Sequence, residues 1–202
     1  MRAGHPVVVL QNLGLSWLPL WHYAVLVGYN TADGTVLLRS GATQRAEMAM
    51  RTFEHTWKRS GAWGFVALPP GQWPVVAEEA SVVEASVGFE RVAAPGNAVL
   101  VYRSALVRWP ANLSLVMGLG NSLHAAGDKA AAAEAFETAA LAHRSAPAWI
   151  NLAQTWLELG DTAAAEHAAQ RAVDAAGTDT QWLASALAVF DTVQTKLSSA
   201  RK

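Results

Sequence analysis

"LSLVMGLGNSLHAAGDKAAAAEAFETAALAHR" (residues 113–144) and "APAWINLAQTWLELGDTAAAEHAAQRAVDAAG" (residues 146–177) superimpose without a gap at an offset of 33 residues. Gly127-Asp128 of the first copy then falls on Gly160-Asp161 of the second. The match also runs through the positions that let paired helices pack. Val116, Leu119 and Gly120 correspond to Trp149, Leu152 and Ala153, and Ala132, Phe136 and Ala139 correspond to Ala165, Ala169 and Ala172. Small residues permit close helix contact, and large ones fill the groove of the facing helix.

An offset of 33 is one residue short of the 34 of tetratricopeptide arrays, and this half of the chain resembles that family. The expected repeats are residues 113–145 and 146–179, preceded by a degenerate copy over 79–112. That copy keeps Ala98, Tyr102, Ala105 and Pro110 but has the irregular turn "VAAPGN". Thr180 to Leu197 carries Leu183, Leu187 and Phe190 on one face and Asp191, Gln194 and Lys196 on the other. It is expected to be a capping helix that shields the last repeat from water. The resemblance implies a groove for a peptide or partner protein, lined by Met117, Asn121 and His124, then Ile150, Gln154 and Glu158. The lining is mixed and lacks a lysine-rich clamp, so a peptide of modest charge is expected.

Before the repeats the pattern changes. "HPVVVLQ", "HYAVLVGY" and Val36 to Arg39 are short β-branched runs, read as strands, with Asn30, Asp33 and Gly34 as a hairpin turn. Thr43 to Trp57, with Met48, Met50, Phe53 and Trp57 at near-helical spacing, predicts one amphipathic helix, and "AWGFVALPPG" predicts a returning strand. The fold class is therefore α+β: a small antiparallel sheet module over residues 1–73, then an all-α tetratricopeptide superhelix over 74–202. Trp17, Trp21, Trp57 and Trp63 are expected to seal the thin sheet, while Trp149 and Trp156 have the spacing of a helical core.

Bulk properties exclude several classes. The net charge is −1, which offers no field to gather nucleic acid or an anionic membrane. The chain has no cysteine, hence no disulfide, thiolate metal site or cysteine nucleophile of its own. Between residues 3 and 32 the charge-capable side chains are His5 and His22 alone, but Gln11, Asn12, Ser16, Pro19 and His22 interrupt the run, so no membrane span is expected. His5, His55, His124, His143 and His167 each stand alone in their segments, so no metal site is expected. No strand-to-helix phosphate turn appears either, and no cofactor is expected.

The segments "GHPVVVLQN", "WHYAVLVGYN" and "VLLRSG" carry a second resemblance, to the carboxyl-terminal lobe of papain-like cysteine peptidases of the bacteriocin-processing type. It covers roughly residues 4 to 70 and is similar to a bacterial branch in which that domain precedes tetratricopeptide repeats. The resemblance implies that His22 is the general base and that Ser40 occupies the position of the residue that orients it, usually an acid. The family's nucleophilic cysteine and oxyanion glutamine lie in an upstream helical lobe, and Gln11 does not correspond to that glutamine. Without a cysteine this chain alone is not expected to be active. Two functions follow: a peptide-binding repeat protein carrying an incomplete peptidase-like domain, or a fragment of an active peptidase whose cysteine lies upstream. The surface left bare by a missing lobe favours a homodimer through the sheet module. The resemblance suggests the cell envelope, although no export signal is legible in these residues.

Overall fold

The computed structural model describes residues 4–200. Its contacts divide the chain between Pro69 and Pro70, earlier than the junction expected after residue 73. The reason is local. Trp73 Nε1 donates to Ser104 Oγ at 2.8 Å, and the Arg108 guanidinium donates to the carbonyls of Pro74 and Ala77. These bonds tie the proline-rich segment to the helices that follow it.

The first unit is a five-stranded antiparallel sheet in the order β4-β3-β2-β1-β5: β1 (Val7–Asn12), β2 (Trp21–Asn30), β3 (Thr35–Ser40), β4 (Thr43–Ala49) and β5 (Gly64–Phe65). Residues directly opposite one another share a face. Pairing of Val7, Val9 and Gln11 with Leu26, Ala24 and His22, and of Ala24 and Leu26 with Ser40 and Leu38, therefore puts these eight side chains on one side. Helix α1 (Met50–Lys58) brings Phe53 and Trp57 to the same apolar cluster, where Val9, Leu38 and Phe53 are buried. Each such side chain contributes roughly 1.5–3 kcal/mol by leaving water.

The helix expected over Thr43 to Trp57 is corrected to a strand followed by a helix. Thr43–Ala49 pairs along β3, with Val36 opposite Met48 and Leu38 opposite Ala46. Ala46 and Met48, two residues apart, face the core, and only from Met50 onward does the helical period take over. The returning strand expected in "AWGFVALPPG" is confined to Gly64–Phe65.

The second unit is helical: α2 (Glu79–Glu90), α3 (Pro95–Arg108), α4 (Leu113–Ala125), α5 (Lys129–His143), α6 (Ala146–Leu159), α7 (Thr162–Ala176) and α8 (Thr180–Ala200). The shared Gly-Asp both ends one helix and starts the next. Gly127 and Gly160 take the left-handed backbone, at φ of 87° and 85°, which glycine adopts without strain. The Asp128 and Asp161 amides then reach back to the Leu123 and Trp156 carbonyls, closing orphan acceptors at the helix end. In turn the Asp128 and Asp161 carboxylates accept from the amides of Ala131 and Ala164, capping α5 and α7.

Close packing follows from the small residues. Ala132, Ala139, Ala153, Ala165, Ala169 and Ala172 are fully buried, with Phe136 and Trp149 filling the space between helices. The tightest approach is at Gly118, where a Cβ would come within 2.2 Å of the Tyr102 ring. That ring is wholly buried and held by its hydroxyl, which donates to Glu90 Oε2 at 2.6 Å. Burial first, and then the Glu90 carboxylate, push the Tyr102 phenol well above its ordinary pKa. Gly118→Ala should therefore destabilise the protein by about 1–3 kcal/mol. At exposed Gly88, where a Cβ meets nothing within 4 Å, the same change should stabilise α2 by about 0.5–1 kcal/mol. Urea unfolding of the two variants checks both signs.

Candidate functional site

Helices α4, α5 and α6 enclose a recess of about 210 Å³ lined by Asn121, His124, Phe136, Asn151, Gln154, Thr155 and Glu158. Its volume falls below the ~300 Å³ at which pockets for drug-sized ligands begin, so it accommodates a side chain or a length of peptide rather than a cofactor. Asn121 and His124 lie three residues apart on α4, and Gln154 and Glu158 four apart on α6. Both spacings keep a pair on one helix face.

Two contacts lock the facing helices. Asn151 Nδ2 donates to Asn121 Oδ1 at 3.3 Å, and Glu158 Oε2 is shared by His124 Nε2 at 2.7 Å and Lys129 Nζ at 2.9 Å. Lys129 opens α5, so the three-membered group joins three helices. The Lys129 ammonium, and then the His124 ring, hold the Glu158 carboxyl below its ordinary pKa.

Of the six groove residues expected from the sequence, the structure brings Asn121, His124, Gln154 and Glu158 to this recess. Met117 and Ile150 are elsewhere: Ile150 is buried in the core and Met117 is packed against it, so neither lines the recess. Asn151, Thr155 and Phe136 were not expected there, nor was the contact of Lys129 with Glu158. Asn151 is three residues from Gln154 on α6, a spacing that could have revealed it. Lys129 reaches the site from a helix start.

In the sheet unit, His22 Nε2 and Ser40 Oγ share a hydrogen bond of 2.7 Å. The two residues come from the start of β2 and the end of β3, on the face that carries α1. Their half-buried pair lies one strand from Gln11, which is buried and donates through Nε2 to Thr56 Oγ1 at 2.7 Å. Gln11 therefore fastens α1 to the sheet. No group of three or more His, Asp or Glu side chains able to hold a metal occurs among the described residues.

No protein-family model matches the sequence, and no curated protein is significantly similar to it. Solved structures do resemble it in fold. The type III secretion chaperone SycD of Yersinia enterocolitica, in complex with a peptide of the translocator YopD, is 14% identical with a TM-score of 0.55, over 61% of this chain and 98% of that one. PcrH from Pseudomonas aeruginosa is 17% identical with a TM-score of 0.55, over 63% and 99%. The Sgt2 TPR domain from Aspergillus fumigatus is 20% identical with a TM-score of 0.56, over 62% and 83%. At these identities the likeness is one of fold: the chain carries a tetratricopeptide-like helical superhelix.

The Glu158 group makes a pH-dependent contribution whose sign is set by its lowered carboxyl. That contribution is present above the ordinary carboxylate value and fades as pH falls through the lowered one. Because the pair is well exposed, Glu158→Gln should cost less than about 1 kcal/mol at neutral pH. The variant and the unmutated protein should converge in acid and in high salt, as urea unfolding under each condition would reveal.

Proposed function

We propose that the repeat unit is a receptor for an extended segment of a partner protein, held at the recess between α4 and α6. The observation that carries this reading is the set of side-chain amides facing the recess. Asn121, Asn151 and Gln154 each offer both a donor and an acceptor, the combination that a peptide backbone requires. Lys129 and Glu158 neutralise one another, so the site has no surplus charge to select a strongly acidic or basic segment, and a peptide of modest charge suits it. The relatives in fold support the reading: SycD is known with a peptide of YopD, and PcrH with the chaperone-binding region of PopD.

The test begins with selection of short random-sequence peptides displayed on phage against the full chain, followed by calorimetry on the tightest. Joint replacement of Asn121, His124 and Gln154 by alanine should weaken binding at least about tenfold, with the helical circular dichroism retained. Equal affinity in the triple variant, or no selectable peptide, would refute the groove.

A second reading concerns the sheet unit, and one observation favours it. The residue that the peptidase resemblance puts in the orienting position, Ser40, does bond the His22 ring. With Nε2 so engaged, Nδ1 is the nitrogen left to accept a proton from a nucleophile, as a cysteine peptidase base must. In this reading the sheet is the base-bearing half of a peptidase, inactive in this chain for want of a cysteine. The similarities in fold lie with the repeats and do not bear on it. Reading the DNA before Met1 tests it. An in-frame helical segment with a cysteine, in a longer protein whose peptide cleavage is lost in His22→Ala, supports the reading; a stop codon with no such segment removes it.

A further inference from the structure

Three of the four tryptophans expected to seal the sheet do not. Trp57 stacks on Phe53 with ring centroids 5.7 Å apart, but Trp17, Trp21 and Trp63 are exposed. Trp17 is the most exposed of these, at 78%. It stands at the end of the β1–β2 hairpin, in "LGLSWLPLW" (residues 13–21), beside Leu13, Leu15, Leu18, Leu20 and Trp21, all likewise exposed. Isolated apolar residues at a surface are ordinary, whereas a contiguous group of this kind marks an interaction site.

The loop is built rather than slack. Leu13 donates to the Leu20 carbonyl at 2.9 Å, and Leu15 and Leu18 exchange bonds at 3.1 and 3.2 Å. Beneath them the Asn12 side chain is buried, accepting from the amides of Gly14 and Leu20 and donating to the Leu15 carbonyl. Gly14 permits the fold-back, since a Cβ there would lie 2.5 Å from the Leu18 carbonyl oxygen. Most of the loop's amides are thus satisfied internally, and Pro19 has none to satisfy. The amides of Ser16 and Trp17 remain at the apex.

We propose that this hairpin tip is a membrane-interface anchor that inserts into zwitterionic lipid. The chemistry separates a bilayer from a protein partner. Protein interfaces carry a polar rim and about one hydrogen bond per 100–200 Å², yet between Leu13 and Trp21 the side chains with a hydrogen-bonding group are those of Ser16 and the two indoles alone. Tryptophan is favoured at headgroup level, where its apolar ring and its N–H are both accommodated. Lipid ester carbonyls at that depth can accept from the two apex amides, and the internally bonded loop avoids the cost of stripping water from the rest of the backbone. No Lys, Arg, Asp or Glu occurs between residues 3 and 32, so nothing in the tip attracts anionic headgroups. No described helix is long and apolar enough to cross a membrane, and the tip enters only the interface.

Co-sedimentation of the full chain with phosphatidylcholine vesicles tests this. Partitioning should be insensitive to salt and unchanged by added anionic lipid. Trp17→Ser with Leu18→Ser should lower it at least about tenfold, while Trp17→Phe keeps most of it and controls for folding. The double variant should keep any peptide affinity of the repeats, which separates this proposal from the groove. It is overturned if the unmutated chain stays in the supernatant, if binding needs anionic lipid and vanishes with salt, or if the double variant binds as well. Concentration-dependent dimers that the double variant abolishes, without vesicle binding, would overturn it in favour of a second copy of the chain.

Discussion

The contact between a glycine and a buried aromatic ring governs the helical unit. Gly118 admits the Tyr102 ring and Gly120 admits the Phe136 ring, each to a distance that no Cβ would tolerate. Helix α4 can therefore lie close against both α3 and α5. Alanines do the same work between later helices, and the aromatic rings fill what the small residues leave. Once α4, α5 and α6 sit at these distances, Asn121 can bond Asn151, and Glu158 can reach His124 and Lys129 together. The recess is thus a consequence of packing on its other side, where small residues bring the helices together.

The sheet unit rests on a different device. Its apolar face is covered by one short helix, and the buried amide of Gln11 bonds Thr56 on that helix. The same face carries His22 and Ser40 at its end, and His22 directly follows the exposed hairpin. Gln11, which is buried, and the hydrogen-bonded His22 and Ser40, which are half-buried, therefore share one surface and differ in burial. Asn12 plays a third part by fastening the loop beyond the sheet.

Legibility in the sequence followed periodicity. The repeats were readable because the same small and large positions recur at a fixed offset, and the Gly-Asp pairs mark helix ends for a physical reason that holds in both copies. Thr43 to Trp57 was misread because Met48, Met50, Phe53 and Trp57 are spaced by two, three and four residues. Such a series mixes the strand and helix periods, and strand pairing with β3 decides its first half. Four residues that line the recess were legible from their helix face. Ile150 was not, since a position facing inward within a repeat can point at the core as well as at the groove, and its chemistry does not distinguish them. Lys129 was missed because it reaches the site from a different helix. The exposure of Trp17 was hidden for a simpler reason: apolar composition signals burial, and nothing in a linear sequence distinguishes a ring under a helix from one on a hairpin tip.

The amides between α4 and α6 are the groups proposed to take hold of a peptide. Side-chain amide NMR of the full chain, titrated with a peptide selected against it, observes those groups directly. The resonances of Asn121, Asn151 and Gln154 should move together and saturate with the binding isotherm, while Gln170 on α7 and Gln44 on β4 stay still. Movement confined to Gln170, Gln181 or Gln44, with the three recess amides unchanged at saturation, would exclude the recess as the peptide site.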